Sequence, residues 1–170
     1  MAQAMVAGRV SRAAYAALLA DLAPVHRILD ERIAAVGCGP VPVDLVLRAT
    51  AVEDDLAVLG GERPAPTAVS RLVCRWIEGI RHPAAIGAAY VVAGSRMGST
   101  VLRPLLARAL GLAGGAGLRS HEGLTRERWS QVCRDIDAWE AGDRVRAEVI
   151  DGACGMMDGL LAVYGEPTRA

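Results

Sequence analysis

The chain reads as a single all-α domain, on three observations. Apolar residues recur at spacings of three and four through most of its length, capping residues and Gly or Pro stops separate the runs, and no segment alternates or carries a hairpin signal. At 170 residues it can bury one full core, and no stretch has the composition of an interdomain linker. Residues 1–170 are therefore predicted to form one domain.

The predicted elements follow in order. Leu18, Leu22, Val25, Leu29, Ile33 and Val36 form the stripe of a first amphipathic helix, capped by Ser11 and stopped by Gly37. Pro24 removes a backbone donor inside it, which predicts a kink or two short helices end to end. Cys38 to Pro42 is a Gly and Pro loop. Leu45, Ala49, Val52, Leu56 and Leu59 form a second stripe opposite Arg48, Glu53, Asp54 and Asp55, ended by Gly60-Gly61. Beyond a loop over Glu62 to Pro66, Thr67 caps a third amphipathic helix with Val69, Leu72, Val73, Trp76, Ile77 and Ile80. Pro83 suits the first turn of the fourth and longest helix, which is apolar nearly all round as far as Gly94 and then carries Arg96, Arg103 and Arg108. Pro104 predicts a second bend. Gly111 to Gly117 is a flexible loop, Thr125 caps a fifth helix through Trp129, Val132, Ile136 and Trp139, and Gly142 breaks it. The last helix, with Val145, Val149, Met156, Leu160 and Tyr164, ends at Gly165 and Pro167.

Composition excludes several classes of function. The 19 basic and 19 acidic residues cancel, and no charge run is long enough to bind nucleic acid or an anionic membrane. The basic residues are all arginine, with no lysine, phenylalanine or asparagine, a bias of the whole chain that points to no site. The longest uncharged run, Pro83 to Ser95, falls short of the ~20 residues a spanning helix needs, and the start of the chain lacks the features of a signal peptide. A soluble, cytoplasmic protein is expected. Cys38, Cys74, Cys133 and Cys154 form no C-x-x-C pair, so reduced and mostly buried thiols are expected rather than a zinc site or a disulfide scaffold. Nucleophile elbows, Walker loops and dinucleotide fingerprints are absent.

The fourth helix holds the informative stretch, Gly94-Ser95-Arg96-Met97-Gly98. Two glycines four apart inside a helix cost roughly 1 kcal/mol each relative to alanine, so something must come close to that backbone. Either a neighbouring helix or a flat ligand would do so.

The landmarks resemble the heme oxygenase family, most closely the small bacterial enzymes that make biliverdin for bacteriophytochromes. The resemblance rests on Gly8-Arg9-Val10-Ser11 leading through Tyr15 to Val25-His26-Arg27-Ile28-Leu29-Asp30-Glu31, on Asp54-Asp55-Leu56 with Leu59-Gly60, on Gly87-Ala88-Ala89-Tyr90-Val91-Val92-Ala93-Gly94-Ser95-Arg96-Met97-Gly98, and on Trp129. The third of these is the specific one, close to a family pattern G-x-x-Y-V-x-x-G-S-x-x-G.

This resemblance implies a heme-oxygenase-like bundle with a kinked distal helix, whose Gly94 and Gly98 let backbone pass close over a porphyrin face. It implies heme as cofactor and substrate, opened with reducing equivalents and dioxygen to biliverdin, carbon monoxide and iron. Ser95 falls where many members carry a polar residue of the distal water network. Gly94, Ser95 and Gly98 are thus the implied cofactor-binding residues, with Ser95 the implied catalytic one. Implied partners are heme or biliverdin, a reductase and a phytochrome-type photoreceptor.

The family's iron-binding histidine lies on a first helix upstream of this region, in a pattern like L-R-x-A-T-x-x-x-H. Met1 to Arg9 holds no histidine, so the resemblance implies a truncated N-terminus and turnover only if another residue or a partner subunit supplies the axial ligand. His26 is the candidate substitute, although by resemblance it takes the place of a distal tyrosine, and a partly buried histidine hydrogen-bonded to backbone or carboxylate is the ordinary alternative. His82 is expected at a helix start and His121 as a solvent-facing loop residue. Glu53, Asp54 and Asp55 lack the Glu-x-x-His partners of a di-iron bundle and are expected on a solvated face. Arg96, Arg103 and Arg108 could meet propionates or simply face solvent. The alternative function is a non-catalytic pseudoenzyme that binds a partner or dimerises over the surface the absent helix would cover.

Overall fold

The computed structural model describes residues 1–60 and 64–165. Among them the chain is helical without strands: α1 (Ala2–Val6), α2 (Arg12–Val36), α3 (Val43–Val46), α4 (Ala49–Leu59), α5 (Ala68–Gly79), α6 (His82–Leu110), α7 (Arg126–Asp137) and α8 (Asp143–Val163), with short 3-10 turns at Ala113–Gly115 and Arg119–His121. The predicted ends at Gly61 and Pro167, and the first part of the predicted loop from Glu62, lie outside the described residues.

The caps explain where the helices start. Ser11, Thr67 and Thr125 each accept a hydrogen bond from the backbone N–H three residues on, satisfying one of the donors a helix start leaves orphaned. Gly111 ends α6 in the left-handed conformation that a side chain would disfavour. Pro24 and Pro104 interrupt neither host helix, and α2 runs unbroken over 25 residues. Ten buried side chains anchor α2, enough to hold it together across one missing backbone bond.

The predicted second helix is two. Leu47 is extended, and the chain restarts at Arg48 because the Asp30 carboxylate on α2 accepts from the backbone N–H groups of Arg48 (3.1 Å) and Ala49 (2.9 Å). A carboxylate borrowed from another helix thus does the work of an N-cap.

Helices α2, α6 and α8 enclose the core, in which Tyr15, Leu29, Ile86, Leu106 and Met156 are fully buried. The tightest seam joins α6 to α8. A Cβ on Gly87 would stand 1.9 Å from the Val149 carbonyl oxygen, and one on Gly152 would stand 2.0 Å from that of Ala84. Here glycine lets two backbones touch, which no other residue permits. Helix α5 docks similarly on Gly155 and Gly159 through Trp76 and Val73.

Candidate functional site

The five residues singled out in the middle of α6 do not act alike. A Cβ at Gly94 would approach the Trp129 indole to 2.9 Å, and Trp129 also stacks at 5.0 Å on Tyr90, so the bare backbone at Gly94 is met by an aromatic side chain of α7. At Gly98 nothing lies within 4 Å of the same point, and the residue is exposed in mid-helix. Its absent side chain makes room for nothing inside the protein. Gly98→Ala is expected to stabilise the protein by about 0.5–1 kcal/mol, the difference in helix propensity, read as a rise in the thermal midpoint.

Ser95 is exposed, and its hydroxyl donates to the Val92 carbonyl at 2.7 Å, which leaves its oxygen lone pairs free to accept. Ser99, one turn on, is buried. Both line a cavity of about 140 Å³ that is walled by Leu19, Leu22 and His26 of α2, Arg48 and Val52 at α4, and Ser120, His121 and Tyr164.

His26 stands within that cavity wall, 9% exposed, with Nδ1 unpartnered. Burial first, then the positive charges of Arg48 and a protonated His121, push its pKa down to about 3, so the imidazole is neutral at ordinary pH. It is not bonded to backbone or carboxylate through that nitrogen, as the ordinary reading would have it. His121 corrects its expectation outright. It is 7% exposed and rests against Tyr15 at 5.9 Å between ring centroids, and burial with nearby Arg48 and Arg103 lowers its pKa to about 4.

Asp55 and Arg48 also depart from the solvated face expected of them. Asp55 is fully buried and accepts from the backbone N–H of Arg119 and of Ser120 (2.7 Å each) and from the Ser120 hydroxyl (2.6 Å). Those bonds pin the 3-10 turn that places Ser120 and His121 at the cavity. Arg48 is 8% exposed, and its Nη1 donates to the Ser120 carbonyl, while Nε and Nη2 have no partner. Burial lowers its pKa to about 10, which still leaves it charged at neutral pH. Sequence offered one signal for both: at 100° per residue, Arg48 and Asp55 fall on the same stripe as Val52, Leu56 and Leu59.

The remaining candidates scatter. Arg96 donates to the carbonyls of Glu122 and Asp44, Arg103 lies against Gly115, and Arg108 is exposed. The cysteines are all free, but only Cys38 is buried and Cys154 is exposed.

An all-helical bundle with a polar chamber behind a glycine-bearing central helix defines the class of protein. The heme oxygenase family model matches residues 1–156, and the chain belongs to that family. No curated protein matches the sequence significantly. Among solved structures, the heme oxygenase of Leptospira interrogans superposes with a TM-score of 0.84 at 17% identity, over 95% of this chain and 87% of that one. Heme oxygenase-1 from the cyanobacterium Synechocystis sp. PCC6803, in complex with heme, gives 0.70 at 17% identity, over 96% and 82%. At such identity these likenesses speak to the fold. Among the described residues no helix is long and apolar enough to cross a membrane.

The chamber is smaller than the roughly 300–1,000 Å³ of pockets that enclose large ligands. Its 140 Å³ corresponds to about four or five waters at their share of liquid volume, or to one small molecule. At Gly98 the α6 backbone is exposed and open, with room for a flat ring to approach it. The buried His26 and His121 stand in the chamber wall with Ser95 and Ser99.

Proposed function

We propose that the protein is a tetrapyrrole-binding heme oxygenase, receiving heme or its ring-opened bilin against the α6 backbone at Gly98, with Ser95 beside it and Gly94 one turn away. The observation that carries this reading is the open face at Gly98, a glycine kept in a helix interior at a cost of roughly 1 kcal/mol with no internal neighbour to require it. When bound, heme would supply the redox-active iron and the ring carbon that is oxidised. A reductase would supply the electrons, and a phytochrome-type photoreceptor would take up the bilin.

This chain's own residues would do the rest. The Ser95 hydroxyl, held by Val92, accepts hydrogen bonds at the foot of the ring. Behind it, Ser99, the neutral His26 and the Tyr164 hydroxyl line a chamber that can hold ordered water and pass protons along it. Of the described histidines in this chamber, His26 is the one whose unpartnered Nδ1 could bind iron, but its place inside the wall favours a proton-holding part.

A hemin titration tests the proposal. A sharp Soret band distinct from that of free hemin is expected, lost in Gly98→Leu and retained in His26→Ala. If His26→Ala abolishes the band, His26 is the iron ligand. A spectrum like that of free hemin would leave a second reading, a non-catalytic module of this fold that pairs with a partner or a second copy, which the Trp129 indole over Gly94 favours.

A further inference from the structure

We infer that the protein pairs with a second copy of itself through the face formed by α5 and α8. Val69, Leu72 and Trp76 fall on one stripe of α5 and are all exposed, Leu72 to 57%. Trp76 is exposed to 37% yet held in place: a Cβ at Gly155 would stand 2.2 Å from its indole, so bare α8 backbone seats the ring. A fixed tryptophan turned to solvent beside aliphatic side chains is the make-up of an interface centre, and a partner there removes apolar surface from water without having to order the ring first.

Charge identifies the partner as a second copy. The trough beside Trp76, about 520 Å³, has Arg75 and Arg81 on its α5 side and Glu148 and Asp151 on its α8 side. Glu148 pairs with Arg144 of its own helix at 3.3 Å, while the side chains of Arg75, Arg81 and Asp151 have no hydrogen bond or ion pair among the described residues. Glu78, the acidic residue of α5, lies by Cys74 on the other flank. Each copy therefore presents a basic wall and an acidic wall side by side. A partner of single charge would match one wall and oppose the other. A two-fold axis through the trough instead lays α5 of each copy over α8 of the other, so that Arg75 faces Asp151 of the partner subunit twice. Two helices about 10 Å across, one of them about 30 Å long, offer about 600 Å² per copy, or about 1,200 Å² in all, enough for a reversible dimer. The face shares no residue with the opening at Gly98, so the pairing stands whether or not a tetrapyrrole binds there.

Sedimentation equilibrium of the hemin-free protein at about 1 to 500 µM should show monomer and dimer in exchange, with a dissociation constant in the micromolar range. Leu72→Glu should raise that constant at least about tenfold. Arg75→Glu alone and Asp151→Arg alone should each be monomeric, because each sets like charges against one another twice. An equimolar mixture of those two variants should dimerise again, since every changed side chain then faces its opposite in the other copy. Should Leu72→Glu fail to fold, the mixture decides. A native protein that is monomeric throughout, a dimer that folded Leu72→Glu leaves unchanged, or a mixture no more associated than its components overturns the pairing.

Discussion

Gly87→Ala is expected to destabilise the protein by about 3 kcal/mol or more, at the upper end of overpacking costs. The clash is with backbone: the new methyl would lie 1.9 Å from the Val149 carbonyl oxygen and 2.5 Å from the Ala153 nitrogen. A side chain can rotate out of the way, but here α8 as a whole must move. Gly152→Ala meets the Ala84 carbonyl at 2.0 Å from the opposite side and should cost as much. The double variant should cost less than the sum, because a single displacement of α8 relieves both clashes. Urea unfolding midpoints of the four proteins measure this. If Gly87→Ala unfolds within about 1 kcal/mol of the native protein, the close α6–α8 seam is not as described.

Acid sensitivity is the second large effect. In the unfolded chain His26 and His121 titrate near 6.5, whereas in the folded protein burial depresses them to about 3 and about 4. Below pH 6.5 the unfolded state therefore binds more protons, and stability falls with pH until each folded value is reached. Each histidine contributes a slope of up to about 1.4 kcal/mol per pH unit in that window. Above pH 6.5 both contributions are fully present and flat. The groups facing His26 are Arg48 and His121, both cationic or neutral, so no carboxylate rescues its protonated form. His26→Gln should remove its share of the slope between pH 6 and pH 4, measured from denaturant midpoints across pH. An unchanged slope would mean that His26 is solvated in the native state.

Periodicity exposed most of the fold because the long helices bury one face, and three of them begin at a hydroxyl cap: Ser11, Thr67 and Thr125 all cap as their positions indicate. The break between α3 and α4 was illegible, since the capping carboxylate belongs to Asp30, eighteen residues from Arg48. The central glycines stood out, but spacing alone could not say which one meets a neighbour: Trp129 covers Gly94, open space lies over Gly98, and the closest backbone approach belongs to Gly87.

The chamber was the least readable part. Arg48 and Asp55 sit on an apolar stripe, yet charged residues in a helix are ordinarily read as its wet side. His121, in a short segment after a glycine-rich loop, offered no pattern at all. Its burial follows from the grip of Asp55 on the 3-10 turn, a contact 65 residues long in sequence.

The α6–α8 seam has a consequence for how each molecule comes into being. A ribosome delivers α2, α4 and α6 before any of α8 exists, so Ala84 and Gly87 emerge with nothing laid over them. The closest-fitting joint is sealed last, by Asp143–Val163. A nascent chain arrested in the turn after α7 should carry an uncovered stripe of main chain, and protease should cut it there until release lets α8 dock.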